Sequence, residues 1–133
     1  MKQYMLDTNI VSHLLKKHPI VTQRTIAASM SSLCISAITE GELLFGLAKR
    51  PDAKNLHLVV REFLKRVDTL PWDSLAAERY GSVRAEMMGQ GKILSPLDLL
   101  IATHALSVDA ILVTNDSAFH QIAELHIEDW SIA

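Results

Sequence analysis

Pro96-Leu-Asp-Leu-Leu-Ile-Ala-Thr-His-Ala-Leu-Ser-Val-Asp-Ala-Ile-Leu-Val-Thr-Asn-Asp116 holds a helix, a buried strand and an acid at each end. Pro96 suits a first helical turn, where its missing N–H is not needed. Leu97, Leu100, Ile101, His104 and Ala105 then recur at helical spacing. Ala110-Ile-Leu-Val113 is an unbroken apolar run of strand length, the signature of a strand covered on both faces. Thr114, Asn115 and Asp116 carry the chain out of that strand.

The same alternation extends outward in both directions. Toward the N-terminus, Tyr4-Met5-Leu6 reads as a short strand ending at Asp7, followed by helices over about 10–17 and 20–29 and a strand at Leu33–Ser36. Ile38, Leu43, Leu44, Phe45 and Leu47 predict a helix from about Ala37 to the Lys49-Arg50-Pro51 break. Leu56, Val59, Val60, Phe63 and Leu64 place another over 53–66, with a strand at 67–70. Asp73 is a good N-cap for a helix carrying Ala76, Tyr80, Val83 and Met87, which Gly89 and Gly91 end. A last short helix and strand are expected after Asp116. Buried strands separated by helices imply an α/β fold with a central parallel sheet, whose sites lie beyond the C-terminal strand ends.

With 133 residues, the chain is expected to form a single domain, 1–133, with its own hydrophobic core. Its apolar runs are too short to span a bilayer, and Asp7 interrupts the N-terminus before a signal-peptide core could form. A soluble, cytoplasmic protein without a membrane partner is therefore expected. The single cysteine, Cys34, lies in an apolar strand and suits a reducing compartment. The net charge of -2 does not favour a nucleic-acid partner. With four acids committed to a metal, however, 13 Lys and Arg leave the remaining surface slightly basic. Lys16-Lys17, Lys49-Arg50 and the series Lys54, Arg61, Lys65, Arg66 are each open to phosphate contact or to a plain solvated role.

Asp7 follows the first strand and Asp116 follows the 110–113 strand, so in a parallel sheet both emerge at one rim. Glu42 and Asp98 lie near the starts of helices that can face that rim. Singly, each has an ordinary alternative: an Asp after a strand caps helices, and a helical Glu faces solvent. Gathered together, four carboxylates would repel one another unless a hard divalent cation, Mg²⁺ or Mn²⁺, compensated them. Thr8, Asn9, Thr114 and Asn115 then become supporting groups that orient carboxylates or substrate phosphate, with a turn or cap role equally open for Thr8 and Asn115.

Met5-Leu-Asp-Thr-Asn9, Ile35-Ser-Ala-Ile-Thr39 with Glu42-Leu-Leu-Phe-Gly46, Pro96-Leu-Asp98 with Ile101-Ala-Thr-His-Ala105, and Val113-Thr-Asn-Asp116 resemble, in order and spacing, the signatures of VapC-type PIN-domain toxins. Asp129-Trp130 resembles the family's ending. The resemblance implies a three-layer α/β/α sandwich, a Mg²⁺- or Mn²⁺-dependent endoribonuclease, and the toxin role in a toxin-antitoxin pair. It implies Asp7, Glu42 and Asp98 as the core of the catalytic and metal-binding quartet, with Asp116 as a supporting ligand. It further implies a homodimer, a VapB-type antitoxin partner, and a structured RNA substrate such as a tRNA anticodon loop. Two departures stand out: Ser95 replaces a frequent glycine, and the 114–119 segment is one residue short of the usual form.

The implied reaction is phosphodiester hydrolysis by metal-activated water. Six histidines leave a metal-free histidine ribonuclease formally open, although His104 reads better as a packing residue. Arg84 is a candidate phosphate contact or, more simply, half of a surface ion pair. Glu40 competes with Glu42, but two residues away it belongs to a different helix face and is assigned to solvent. Two alternatives complete the set. A phosphotransfer enzyme using Asp7 as nucleophile would want a second acid where Asn9 stands. A non-catalytic binding domain of the same fold would have no need of the quartet.

Overall fold

The apolar runs become a parallel sheet in the computed structural model, which describes residues 2–133. In chain order the elements are β1 (Tyr4–Leu6), α1 (Thr8–Leu15), α2 (Pro19–Ala28), β2 (Leu33–Ser36), α3 (Ala37–Ala48), α4 (Lys54–Arg66), β3 (Asp68–Leu70), α5 (Ser74–Gly89), α6 (Pro96–Ser107), β4 (Ile111–Val113) and β5 (Ile127–Glu128). Every strand pair is parallel, in the order β3-β2-β1-β4-β5.

Side chains alternate across the strands, and both faces are buried. Met5, Cys34 and Leu112 enter one core with Val83 and Met87 of α5 and Leu99, Ala102 and Ala105 of α6. Leu6, Leu33, Ile35 and Val113 enter the other, with Ile10 and Val11 of α1, Val21 of α2, Leu43 and Leu47 of α3 and Val60 and Phe63 of α4. The sheet therefore forms the middle of three layers, the α/β/α arrangement expected from the sequence. Cys34 is fully buried, and that burial pushes its thiol up to about 12. No helix among the described residues is long and apolar enough to cross a membrane.

Four boundaries differ from expectation for local reasons. α1 starts at Thr8 because Asp7 caps it, accepting from the Ile10 N–H. Val67 belongs to the end of α4, its N–H donating to Phe63 O, so β3 starts one residue later. β4 starts at Ile111, whose N–H donates to Gln3 O. The last expected helix is a 3-10 turn, Ser117–Gln121, capped by Asp116.

The topology has one reversal. From β1 the chain builds toward β2 and β3, and then crosses to the other side of β1 to add β4 and β5. The crevice above β1 and β4 is where open α/β sheets place their ligands.

Candidate active site

Asp7 stands in that crevice. Its N–H is still in the ladder, donating to Val113 O at 3.0 Å, while its side chain already serves α1. Oδ1 accepts from the Ile10 N–H at 2.9 Å, and Oδ2 accepts from the Thr114 hydroxyl at 2.5 Å. With 4% of its surface exposed, the carboxyl is pushed up from 3.8 to about 6. Burial is the main cause; the nearby charges of Asp98 and Asp116 add to it, and the Thr114 and Ile10 hydrogen bonds oppose it. Asp7 thus caps α1 and also lines a cavity at the rim.

Glu42 reaches the same place from the second turn of α3. Its Oε1 accepts from the Thr8 hydroxyl at 2.6 Å, and Thr8 also lies 3.5 Å from the hydroxyl of buried Thr39. Asp98 is the third residue of α6, whose N-cap is Ser95. The departure at Ser95 therefore has a use: its hydroxyl accepts from the Asp98 N–H at 3.4 Å. Asp7, Thr8, Asn9, Glu42 and Asp98 line one small cavity of about 90 Å³, with Ile101 as its apolar wall.

Asp116 lines a neighbouring cavity of about 200 Å³ with Thr114, Asn115 and Asp129. Its Oδ1 accepts from the Ala118 N–H, and its own N–H donates to Thr114 Oγ1. Thr114, 1% exposed, lines this second cavity and joins it to Asp7, its hydroxyl donating to Asp7 Oδ2 and accepting from the Asp116 N–H. Asn115 is exposed, its Nδ2 3.2 Å from His13 Nε2 on α1. Glu40 is half-buried rather than fully solvent-facing, and it lines neither cavity.

Four other residues singled out in the sequence make structural contacts. His104 is buried, with Nδ1 2.7 Å from Ser36 Oγ, the hydroxyl that caps α3. Burial holds its pKa below the usual histidine range. Arg84 turns to Tyr80 instead of an acid, donating to its hydroxyl at 2.8 Å. Lys65 and Arg66 both pair with Glu62, at 3.6 and 3.8 Å, on the exposed face of α4. Lys16, Lys49 and Arg50, by contrast, edge an apolar groove of about 380 Å³ between α1, α3 and α4 that runs up to Thr8 and Glu42.

The sequence places Asp129 in the family's ending but not, on the reading above, at the rim of the sheet. The signal was available, because Asp129 directly follows β5 and so leaves the sheet at the same rim as Asp7 and Asp116.

The donors around the small cavity are all oxygen, and they include one buried carboxyl whose ionised form is destabilised where it stands. That chemistry fits a hard divalent cation. Among the described residues no three acid, His or Cys side chains stand close enough together, as they are placed, to hold a metal ion by themselves.

The sequence profile of the PIN domain matches residues 4–125. The tRNA(fMet)-specific endonuclease VapC of Shigella flexneri is 36% identical over 132 residues, covering 98% of this chain and 100% of that one. Ribonuclease VapC2 of Haemophilus influenzae is 34% identical, covering 98% and 99%. Among solved structures, DNA-bound VapBC from Salmonella typhimurium superposes with a TM-score of 0.90 at 36% identity, covering 98% of this chain and 99% of that chain.

Proposed function

The chain belongs to the PIN-domain family, among its VapC ribonucleases, and from that membership we propose that it is a metal-dependent endoribonuclease, the toxin of a toxin-antitoxin pair, with Asp7, Glu42 and Asp98 as its centre. The observation that carries the reading is the convergence of these three acids, from β1, α3 and α6, on one cavity at the sheet's switch point. Asp7 and Glu42 would hold Mg²⁺ or Mn²⁺ with Asp98. Such a cation supplies the Lewis acidity for attack of water on a phosphodiester.

The chain's own residues do the rest. Thr114 and the Ile10 N–H fix both oxygens of Asp7, and Thr8 fixes Glu42, so the charged atoms need little reorganisation when substrate arrives. Asn9, exposed and lining the cavity, would donate to a phosphate oxygen. Lys16, Lys49 and Arg50 offer positive charge beside the acids, where RNA backbone would approach. The Shigella relative's name makes tRNA the first substrate to try.

We also propose an antitoxin partner and a homodimer. The support for the partner is the VapBC complex above and the groove between α1, α3 and α4. An apolar antitoxin segment lying there would reach Thr8 and Glu42, and a basic side chain at its end would meet the acids. Light scattering at micromolar concentration tests the dimer; a monomer would count against it.

The decisive experiment is RNA cleavage with end-group analysis. Scission is expected with Mg²⁺ or Mn²⁺, not with Ca²⁺, whose larger and looser shell misplaces the water. The products should carry 5′-phosphates, and deoxyribose at the cut position should be tolerated. A 2′,3′-cyclic phosphate, or undiminished cutting in excess EDTA, would transfer the reaction to a histidine mechanism.

A further inference from the structure

Asp7 and Glu42 are held by neighbouring side chains, and Asp98 is not. Thr114 and the Ile10 N–H fix Asp7, and Thr8 fixes Glu42. The Asp98 carboxylate has no hydrogen-bond or ion-pair partner among the described residues. Its place beside the other two acids therefore depends on where α6 sits. We propose that His104 is a positioning residue for the acid centre, tying the helix that carries Asp98 to the strand end from which the helix carrying Glu42 starts. The proposal rests on the nuclease reading for what that centre holds.

Ser36 is the last residue of β2 and the N-cap of α3, its hydroxyl accepting from the Ile38 N–H at 3.1 Å. Glu42 stands in the second turn of the same helix. On α6, His104 lies about 9 Å along the helix axis from Asp98. Its Nδ1 is 2.7 Å from Ser36 Oγ, and both residues are buried. Among the described residues this is the one side-chain hydrogen bond between α6 and the segment formed by β2 and α3. Trp72, whose indole N–H donates to Leu100 O at 3.0 Å, ties α6 to a different place, the connection between β3 and α5.

The protons of the tie have one consistent arrangement. Burial favours the uncharged ring, against the Asp73 charge and the Pro71 carbonyl that bonds the ring. A carbonyl only accepts, so the ring gives its single proton to Pro71, and Nδ1 accepts from the Ser36 hydroxyl. That hydroxyl still accepts from the Ile38 N–H, so each group in the chain is paired. Apolar packing does not do the same work. Leu99, Ala102 and Ala105 press α6 onto the sheet, but such contacts have no direction along the helix axis. A buried, fully paired hydrogen bond does, and it fixes how far Asp98 projects toward Glu42.

The test is Mn²⁺ binding by the full chain, read by electron paramagnetic resonance, for wild type, His104→Leu, His104→Asn, Ser36→Ala and the double variant His104→Leu/Ser36→Ala. His104→Leu fills the space without the tie and should bind Mn²⁺ about tenfold more weakly, as loss of a residue that orients metal ligands does. Ser36→Ala should lose as much, and the double variant no more than either, because all three remove one shared bond. His104→Asn keeps an acceptor near the Nδ1 position and should stay close to wild type. Cleavage of RNA by His104→Leu should need about tenfold more Mn²⁺ with an unchanged KM for RNA. Residual dipolar couplings of α3 and α6 in metal-free protein read the angle between the helices directly, and should depart from wild type in His104→Leu but not in His104→Asn. Full Mn²⁺ affinity in His104→Leu, additive losses in the double variant, or no recovery in His104→Asn would each overturn the role. Ser36→Ala removes one hydroxyl and leaves the core filled, so it carries the test if His104→Leu does not fold. A wild type that binds no Mn²⁺ would overturn the metal-dependent reading alone; the couplings then decide for His104, and unchanged couplings in His104→Leu would overturn it.

Discussion

Asp7 and Asp116 leave neighbouring strands at the same rim, and each uses Oδ1 to cap the turn or helix that follows. Their surroundings differ. Asp7 follows β1 directly and is buried, with its second oxygen held by Thr114 and its carboxyl pushed up to about 6. Asp116 comes three residues after β4, is half-buried, and lines the adjoining cavity. Strand position brings an acid to the rim; the two residues between strand and acid decide which cavity it faces. Thr114 links the pair, and a short sequence offset divides the two acids between two cavities.

The largest effects should fall on the Asp7 side of that division. Asp7→Asn, Glu42→Gln and Asp98→Asn keep side-chain volume but remove charge, and each should lower RNA cleavage by on the order of a thousandfold, the scale of several kcal/mol of lost charge stabilisation. Asp116→Asn should cost about tenfold or less. Initial rates on one RNA, compared across the four variants, give the measurement. Full activity in Asp98→Asn would remove the proposed centre, and an Asp116→Asn enzyme as inactive as Asp7→Asn would erase the distinction between the cavities.

Much of this arrangement was legible in the sequence. Apolar runs of strand length, helical spacing between them and breaks at Pro51, Gly89 and Gly91 give the order of elements, because burial on both faces demands those patterns. The rim position of Asp7 and Asp116 follows from parallel topology alone. The partition into two cavities does not, since it depends on the Thr114 hydroxyl reaching both Asp7 and the Asp116 N–H, a tertiary detail with no periodic signature. Arg84 is a different case: Tyr80 stands one turn back on the same helix, at a spacing that the sequence already showed, and the exposed guanidinium takes its hydroxyl rather than an acid.

The second effect concerns stability. A carboxyl whose folded pKa is raised contributes stability that is present below its unfolded value and is lost as pH rises through the folded value. For Asp7 that window runs from 3.8 to about 6. Asp7→Asn cannot ionise, so in metal-free protein it should match wild type near pH 4 and exceed it at pH 8 by on the order of 2 kcal/mol. Urea denaturation of both proteins at pH 4 and pH 8 reads the difference, and a wild type that gains stability relative to Asp7→Asn over this range would contradict the burial argument.

The smallest effect belongs to Thr114 itself. Thr114→Val preserves shape but takes a donor from Asp7 Oδ2 and an acceptor from the Asp116 N–H. Because the Thr114 hydrogen bond holds the Asp7 pKa down against burial, its removal must let that pKa rise above about 6. The carboxyl carbon of Asp7, followed by NMR in metal-free protein, should therefore titrate at higher pH in Thr114→Val and return to its original position in Thr114→Ser. Stability at pH 8 should fall by about 1 to 2 kcal/mol, the usual cost of leaving a buried polar group without its partner. At pH 4 the loss should shrink, since a protonated Asp7 accepts a weaker hydrogen bond than an ionised one. An unmoved Asp7 titration in Thr114→Val would mean that Thr114 acts on Asp7 by its bulk and not through the hydrogen bond it donates.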